Sequence, residues 1–257
     1  MHPSSTVAGT GKGYPDWVLL DVVSRNADSH EEASSADAMA TIARASMELE
    51  NPAKGAVVEV EVSFRLVDPP EVSCFLLRYR GLAKDDDGYH ARVVSAEGNA
   101  VLIFLRIGYW RARFLVYMAG VHEHPTLEVL PYPPRLFHPF NGVGILPRGH
   151  GAGDGYVVAA MNSKFIDNVL HYELLLYSSE TNAWSTKVVP LDGDCDEDDR
   201  WELLNHRTNK VIAVRGSSVG WVDLWRGILV CDVLNQEDHP TVGFFDPPDP
   251  MPGHNEL

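Results

Sequence analysis

The chain is short of cysteine and of positive charge. Its 257 residues include only three cysteines, Cys74, Cys195 and Cys231, which are too few and too widely spaced for a disulfide framework or a C-x-x-C metal pair. There are 21 Lys and Arg residues against 36 Asp and Glu residues, so the net charge is −15. Nucleic acids and anionic membranes need a concentrated basic face on a protein, and we expect neither as a partner.

Signals for crossing a membrane are also missing from the sequence. The N-terminal stretch M-H-P-S-S-T-V lacks the apolar core of a secretory signal, and apolar runs such as 101–105 are much shorter than a transmembrane helix. The chain contains no N-x-S/T glycosylation sequon. We therefore expect a cytoplasmic or nuclear protein, in which Cys74 and Cys231 are buried as small hydrophobic residues.

The sequence is instead rich in short stretches typical of β-strands. Val58, Val60, Val62 and Phe64 alternate with polar residues, and Glu97-Gly98-Asn99 separates two apolar runs as a hairpin turn would. The runs fall into groups at 56–131, 137–190 and 200–247. We predict an all-β fold, a propeller-like array of about three antiparallel sheets that is open or incomplete. A β-sandwich is the alternative.

Changes in composition suggest three regions. We predict a disordered tail at 1–13, a single β-rich domain at 14–247 and a Pro-rich C-terminal tail at 248–257. Within the domain, the stretch 27–55 is rich in Ala, Ser and acidic residues, and we predict a loop or a short helix there. The helical prediction depends on a stripe formed by Met39, Ile42, Ser46 and Leu49.

The stretch 211–233 contains two tryptophans among three apolar runs, separated by glycines. It is typical of consecutive strands. Trp221, Asp223 and Trp225 alternate, so they share one face of a strand, which we expect to be buried. A buried carboxylate needs a partner, and Arg226 or a turn amide is the candidate for Asp223.

The same stretch contains Gly216-Ser217-Ser218-Val219-Gly220, which matches the G-x-S-x-G pattern of hydrolases. That chemistry needs a strand, a sharp turn and a helix to present the serine. Here a strand-like W-V-D-L-W follows, so we expect Ser218 in a turn between strands. A hydrolase that uses Ser218 remains an alternative function.

Two other groups of residues have the atoms to bind a metal. His122 and His124 form an H-x-H pair, but Pro125 follows and the stretch is typical of a loop. Asp192, Asp194 and Asp196 alternate as in a calcium loop, yet the sixth position is Glu197 instead of glycine. We predict no metal site and no cofactor, and keep these five residues as candidates only.

Several segments resemble the DUF1618 proteins, a plant family that is much expanded in grasses: W-V-L-L-D (17–21), V-S-F-R-L-V-D-P-P (62–70), L-E-V-L-P-Y-P-P (127–134), Y-E-L-L-L-Y-S-S-E-T-N-A-W-S (172–185) and G-W-V-D-L-W-R-G-I-L-V-C-D-V-L (220–234). Y-S-S-E-T-N-A-W is also similar to a blade hairpin of plant F-box-associated and kelch-type propellers, in which the Trp packs between blades. Family members usually continue beyond the segment 248–257, which implies a C-terminally truncated relative.

The resemblance implies structural residues and no catalytic ones. The signature positions are Trp184, Gly220, Trp221, Asp223, Trp225 and Gly227. It also implies a non-enzymatic protein-interaction module, tied to reproductive or stress-related regulation, with unknown protein partners. Self-association through exposed strand edges is expected as well.

Two other functions stay open from the sequence. One is a hydrolase using Ser218 or a metal at His122 and His124. The other is a propeller that binds a carbohydrate or small ligand, for which Trp110 and Tyr132 are the candidate lining residues.

Overall fold

A computed structural model of the chain describes residues 18–23, 25–26, 39–48, 57–80, 89–107, 111–119, 125–134, 142–149, 154–167, 169–192, 197–214, 216–234 and 240–246. These residues form seventeen strands and one helix, and the strands make four sheets, none of which closes on itself. The all-β prediction is confirmed, and the fold is consistent with an open propeller-like or sandwich-like array. The predicted tails at 1–13 and 248–257 lie outside the described residues, and the limits of the domain remain a prediction.

The second, third and fourth sheets are antiparallel meanders in which each strand pairs with the next along the chain. The second sheet contains β6 (Tyr89–Glu97), β7 (Ala100–Ile107), β8 (Arg111–Met118) and β9 (Thr126–Val129). The third sheet contains β10 (Val143–Pro147), β11 (Tyr156–Ile166), β12 (Val169–Ser178) and β13 (Ala183–Pro190). The fourth sheet contains β14 (Lys210–Val214), β15 (Ser218–Asp223), β16 (Gly227–Asp232) and β17 (Val242–Phe245). Short polar turns explain the meanders, since Gly98 and Asn182 adopt the positive φ that such turns need.

The first sheet has a different topology. It contains β1 (Leu19–Leu20), β2 (Arg25–Asn26), β3 (Met39–Glu48), β4 (Val57–Leu66) and β5 (Val72–Arg80). The strands β3, β4 and β5 are antiparallel, whereas the two short strands β1 and β2 both pair with β5 in parallel.

Two predictions about this region are wrong. Residues 39–48, predicted as part of a loop or short helix at 27–55, form the strand β3. Its ten residues pair one to one with the alternating strand β4, so long-range pairing overrides the helix propensity of its Ala, Met and Glu residues. The group predicted at 56–131 is accordingly two sheets, and the array contains four sheets instead of about three.

One helix, α1 (Glu197–Asn205), connects the third and fourth sheets. It begins directly after the aspartates that alternate as in a calcium loop. The buried Leu203 anchors it to the core. Within the described residues, no helix is long and apolar enough to cross a membrane.

The sheets stack face to face in chain order, with one apolar cluster between each neighbouring pair. Phe64, Phe75 and Leu105 belong to the cluster between the first and second sheets. Phe104 and Tyr177 belong to the cluster between the second and third sheets. The largest cluster lies between the third and fourth sheets and contains Tyr172, Leu203, Trp221 and Cys231. Cys74 and Cys231 are buried, as predicted, and burial raises the pKa of the Cys231 thiol to about 11.

The first strands of the last three sheets, β6, β10 and β14, lie against one another. The sheets therefore fan out from a common line formed by their first strands. This arrangement gathers the turns at the strand ends into a few places on the surface, where binding residues are commonly found.

Candidate interaction surface

The turn between β15 and β16 is held in place by side-chain acceptors. The backbone N–H of Leu224 donates to Oδ1 of Asn209 at 3.0 Å. The N–H groups of Trp225 and Arg226 donate to Oδ1 of Asp223 at 2.9 and 3.2 Å. All three turn amides are therefore satisfied, which fixes the turn in one conformation.

The carboxylate of Asp223 is the centre of this arrangement and is only 2% exposed. Its Oδ2 accepts the N–H of Arg207 at 2.6 Å and lies 3.5 Å from Nη1 of Arg226. Burial by itself raises the pKa of the carboxyl group, but the N–H donors of Arg207, Trp225 and Arg226 together hold it below its ordinary value. The predicted partners of Asp223, Arg226 and the turn amides, are both confirmed.

His206 joins the end of α1 to this buried carboxylate. Its Nε2 lies 3.2 Å from the backbone oxygen of Trp221. Burial lowers the pKa of the imidazole, and this effect outweighs the opposing influence of the Asp223 charge. The ring is thus neutral in the folded protein at neutral pH, and His206 is a polar contact that the sequence did not reveal.

Gly227 ends the turn because no other residue fits there. Its φ is +122°, and a Cβ at this position would lie 2.3 Å from the backbone oxygen of Phe245. A side chain would be strained by the backbone angle and would collide with β17.

The two tryptophans of β15 and its turn do not share a buried face, contrary to the prediction. Trp221 is fully buried, and its indole N–H donates to the backbone oxygen of Gly142, 2.9 Å away at the start of the third sheet. Trp225 is 84% exposed. The strand ends at Asp223, so the alternation of faces stops before Trp225 and the turn directs its side chain into solvent.

Trp225 belongs to a set of exposed residues on α1 and the β15–β16 turn, which Arg226 links and which we call the aromatic corner: Trp201, Leu204, Leu224, Trp225 and Arg226. Its four apolar side chains are 58%, 42%, 72% and 84% exposed, in that order. The guanidinium of Arg226 lies 5.6 Å from the ring centre of Trp201, and its Nε lies 3.2 Å from Oε2 of Glu202. Arg226 thereby connects the turn to α1.

The aromatic corner has the composition of a protein-binding hot spot. Trp and Arg are enriched in such sites, and large apolar side chains that protrude from a fixed scaffold bind at little entropic cost. The sequence did not reveal the corner because Trp201 was assigned to no element and Trp225 was assigned to the core.

Trp184 bridges the second and third sheets. Its indole N–H donates to the backbone oxygen of Pro131 at 2.9 Å, and its ring lies 5.4 Å from that of Tyr177. The hydroxyls of Tyr156 and Tyr177 donate to the carboxylate of Glu128 at 2.5 and 2.9 Å. Burial, followed by the contact with Glu128, raises the pKa of both tyrosines, so this polar cluster holds neutral phenols between two sheets.

Ser218 and Gly220 both lie in β15. The turn consists of the preceding Gly216 and Ser217, so the prediction that Ser218 lies in the turn is wrong, because Ser218 is the first residue of the strand. The prediction that a strand follows the turn is confirmed. Within the described part of the chain, the Ser218 hydroxyl has no hydrogen bond to a histidine or carboxylate. Its neighbour Ser217 donates to Oδ2 of Asp232 at 3.0 Å.

The metal candidates are only partly described. His122, His124, Asp194 and Asp196 lie outside the described residues, as does Trp110. Asp192 is exposed, and its backbone N–H donates to the backbone oxygen of Val242 at 2.8 Å. Among the residues that the structure describes, no three His, Cys, Asp or Glu side chains are grouped to hold a metal ion.

A cavity of about 360 Å³ lies where the turns of the last three sheets meet. Glu97, Asn99 and Arg148 supply polar groups to its wall, and Leu146 and Pro147 supply apolar ones. Tyr132, predicted for a ligand site, is not in this wall. It is 41% exposed, and the guanidinium carbon of Arg113 lies 3.2 Å from the centre of its ring.

Comparison with known proteins supports the resemblance for one segment. The model of DUF1618, a family described as proteins of unknown function, matches residues 221–256. The match begins at Trp221 and includes Asp223, the whole turn and the strands β16 and β17. No curated protein and no solved structure matches the chain.

Proposed function

We propose that this protein is a non-enzymatic protein-interaction module that recognises its partner through the aromatic corner. The observation that supports this proposal is the exposure of Trp225 on a turn whose three amides are all satisfied. An 84% exposed tryptophan contributes almost nothing to the core, so its side chain is available to a partner.

The position of three of the five corner residues within the matched segment also supports the proposal. Leu224, Trp225 and Arg226 lie inside residues 221–256, which match DUF1618. We extend the family assignment to the whole chain and propose a plant protein that acts in the cytoplasm or nucleus, in reproductive or stress-related regulation. The likeness of Trp184 to the blade tryptophan of kelch-type propellers is part of the same proposal.

The test compares what the intact protein and a corner variant capture from grass tissue. Tagged wild type, Trp225→Ala and the control Val169→Ala are used as baits, followed by quantitative mass spectrometry. Val169 is a matched control, since it is 52% exposed at the start of β12 in the third sheet. We expect partners that the wild type and Val169→Ala share and that Trp225→Ala loses.

A purified partner then gives the magnitude of the effect. Truncation of a hot-spot residue costs at least about 2 kcal/mol of binding free energy. We therefore expect Trp225→Ala to raise the dissociation constant roughly 30-fold, as measured by calorimetry. If all three baits capture the same partners with equal affinity, the corner is not the recognition surface. Turnover of a substrate in an activity screen would contradict the non-enzymatic assignment.

The cavity favours a second candidate function, the binding of a sugar or another small polar ligand. Its volume of about 360 Å³ is within the range of ligand sites, and Arg148, whose guanidinium pairs with Glu180 at 3.7 Å, is one of its lining residues. Thermal-shift screening with mono- and oligosaccharides tests this function. A ligand that stabilises the wild type and not Arg148→Ala would support it, and no shift with any ligand would reject it.

A further inference from the structure

The stretch 130–134, L-P-Y-P-P, follows β9 directly, and its three prolines restrict its backbone. The ring of each proline fixes φ at about −65°. A residue that precedes proline is restricted to extended conformations, and this applies to Leu130, Tyr132 and Pro133. Residues 130–133 accordingly belong to no strand, helix or turn. We call 130–134 the proline segment, and its restrictions together favour the polyproline II helix.

The proline segment is anchored to the protein at its start. The side chain of Leu130 is buried, and its backbone N–H donates to the backbone oxygen of Phe114 at 2.9 Å. The next residue, Pro131, accepts the indole N–H of Trp184 on its backbone oxygen at 2.9 Å. A segment that is already fixed in an extended conformation loses little conformational entropy when a partner binds it.

One edge of the proline segment is open to solvent. Pro131 and Pro134 are both exposed, and residues three apart lie on the same edge of a polyproline II helix. Tyr132, between them, is 41% exposed. Among the residues that the structure describes, the backbone oxygens of Tyr132 and Pro133 have no hydrogen-bond donor. The segment thus presents a P-x-x-P pattern with exposed rings and available acceptors, which is what grooves lined with aromatic side chains recognise.

Arg113 adds a positive charge beside the proline segment. Its guanidinium carbon lies 3.2 Å from the centre of the Tyr132 ring, so the cation covers one face of that ring. The chain as a whole carries a net charge of −15, which makes a cation next to exposed prolines a local feature of this surface. Acidic side chains at the rim of a partner groove would complement this cation.

We propose that the proline segment is a docking site for a partner domain of the polyproline-binding class, with a groove lined by aromatic side chains and an acidic rim. This site is separate from the aromatic corner, because the segment follows the second sheet whereas the corner is formed by α1 and the fourth sheet. The contact involves only a few residues, so its area is small and its dissociation constant lies in the micromolar range.

Calorimetric titration of the 257-residue protein with a set of purified SH3 and WW domains tests this proposal. We expect at least one of these domains to bind, and an oligoproline peptide to displace the protein from it. Pro134→Ala removes one ring of the exposed edge and the restriction on Pro133, and Tyr132→Ala removes the ring between the two prolines. Each variant should raise the dissociation constant at least about fivefold.

Pro190→Ala is the matched control, since Pro190 is an exposed proline at the end of β13, outside the proline segment. It should bind as the wild type does, and circular dichroism verifies that all variants are folded. The absence of binding by every domain of the set overturns the proposal. So does binding that both folded variants retain, or that oligoproline does not displace. None of these results depends on Trp225, so a failure here is distinct from a failure of the aromatic corner.

Discussion

Trp221 and Trp225 are four residues apart and have opposite environments. Trp221 is fully buried between the third and fourth sheets, and its N–H reaches a carbonyl 79 residues earlier in the chain. Trp225 is 84% exposed, on a turn that buried polar groups hold in place. The same residue type therefore supports the fold at one position and is available for binding at the other. Asp223, between them, separates the two environments.

Replacement of each tryptophan by alanine gives the largest expected contrast. Trp221→Ala removes a fully buried aromatic side chain and leaves the Gly142 carbonyl unsatisfied, which should cost about 3–5 kcal/mol in the free energy of unfolding. Trp225→Ala should change it by less than about 0.5 kcal/mol. Chemical denaturation followed by circular dichroism measures both. Equal losses would show that Trp225 is part of the core after all.

Asp223→Ala tests whether the buried carboxylate holds the turn. It leaves the N–H groups of Arg207, Trp225 and Arg226 without their acceptor, and we expect a loss of about 3 kcal/mol. Asp232→Ala is the control, because Asp232 is half-buried and accepts from Ser217 and Leu234 at the opposite end of β16. Its loss should be about 1 kcal/mol. A larger loss for the control would place the main anchor at Asp232.

Gly227→Ala and Gly216→Ala separate steric overlap from backbone strain. Both glycines have positive φ, but a Cβ at Gly227 would overlap the Phe245 carbonyl, whereas nothing lies within 4 Å at Gly216. We expect Gly216→Ala to cost about 1 kcal/mol and Gly227→Ala clearly more. Thermal unfolding of the two variants gives the comparison. Equal shifts in Tm would mean that β17 moves away from the added methyl group without loss of stability.

A change of pH tests the contact between α1 and the fourth sheet. The pKa of His206 is lower in the folded protein than its ordinary value of 6.5. Below pH 6.5 the unfolded state takes up a proton that the folded state resists, so stability decreases as pH falls from 6.5 towards the lower folded pKa. Urea unfolding between about pH 8 and 5 measures the slope. His206→Gln should flatten it, and an unchanged slope would assign the effect to another group.

Local sequence patterns predicted much of the fold, though not all of it. Alternation in β4, the Glu97-Gly98-Asn99 hairpin and the runs between 211 and 233 each identify a strand from neighbouring residues. β3 was predicted wrongly because Ala, Met and Glu favour a helix, and only pairing with β4 makes this stretch a strand. The aromatic corner depends on where β15 ends, and element boundaries are weakly encoded in sequence patterns.

The sequence by itself determined the all-β class, the scarcity of basic surface and the turn at Gly216 and Ser217. It also determined that the buried Asp223 carboxylate needs a partner, either turn amides or Arg226. Each of these depends on charge, on period-two alternation or on the conformational range of a few residues. Only the tertiary structure decided that Trp221 is buried while Trp225 is exposed, and that Trp184 reaches the backbone oxygen of Pro131. Those outcomes depend on which sheets lie next to each other, and contacts between residues far apart in the chain settle that.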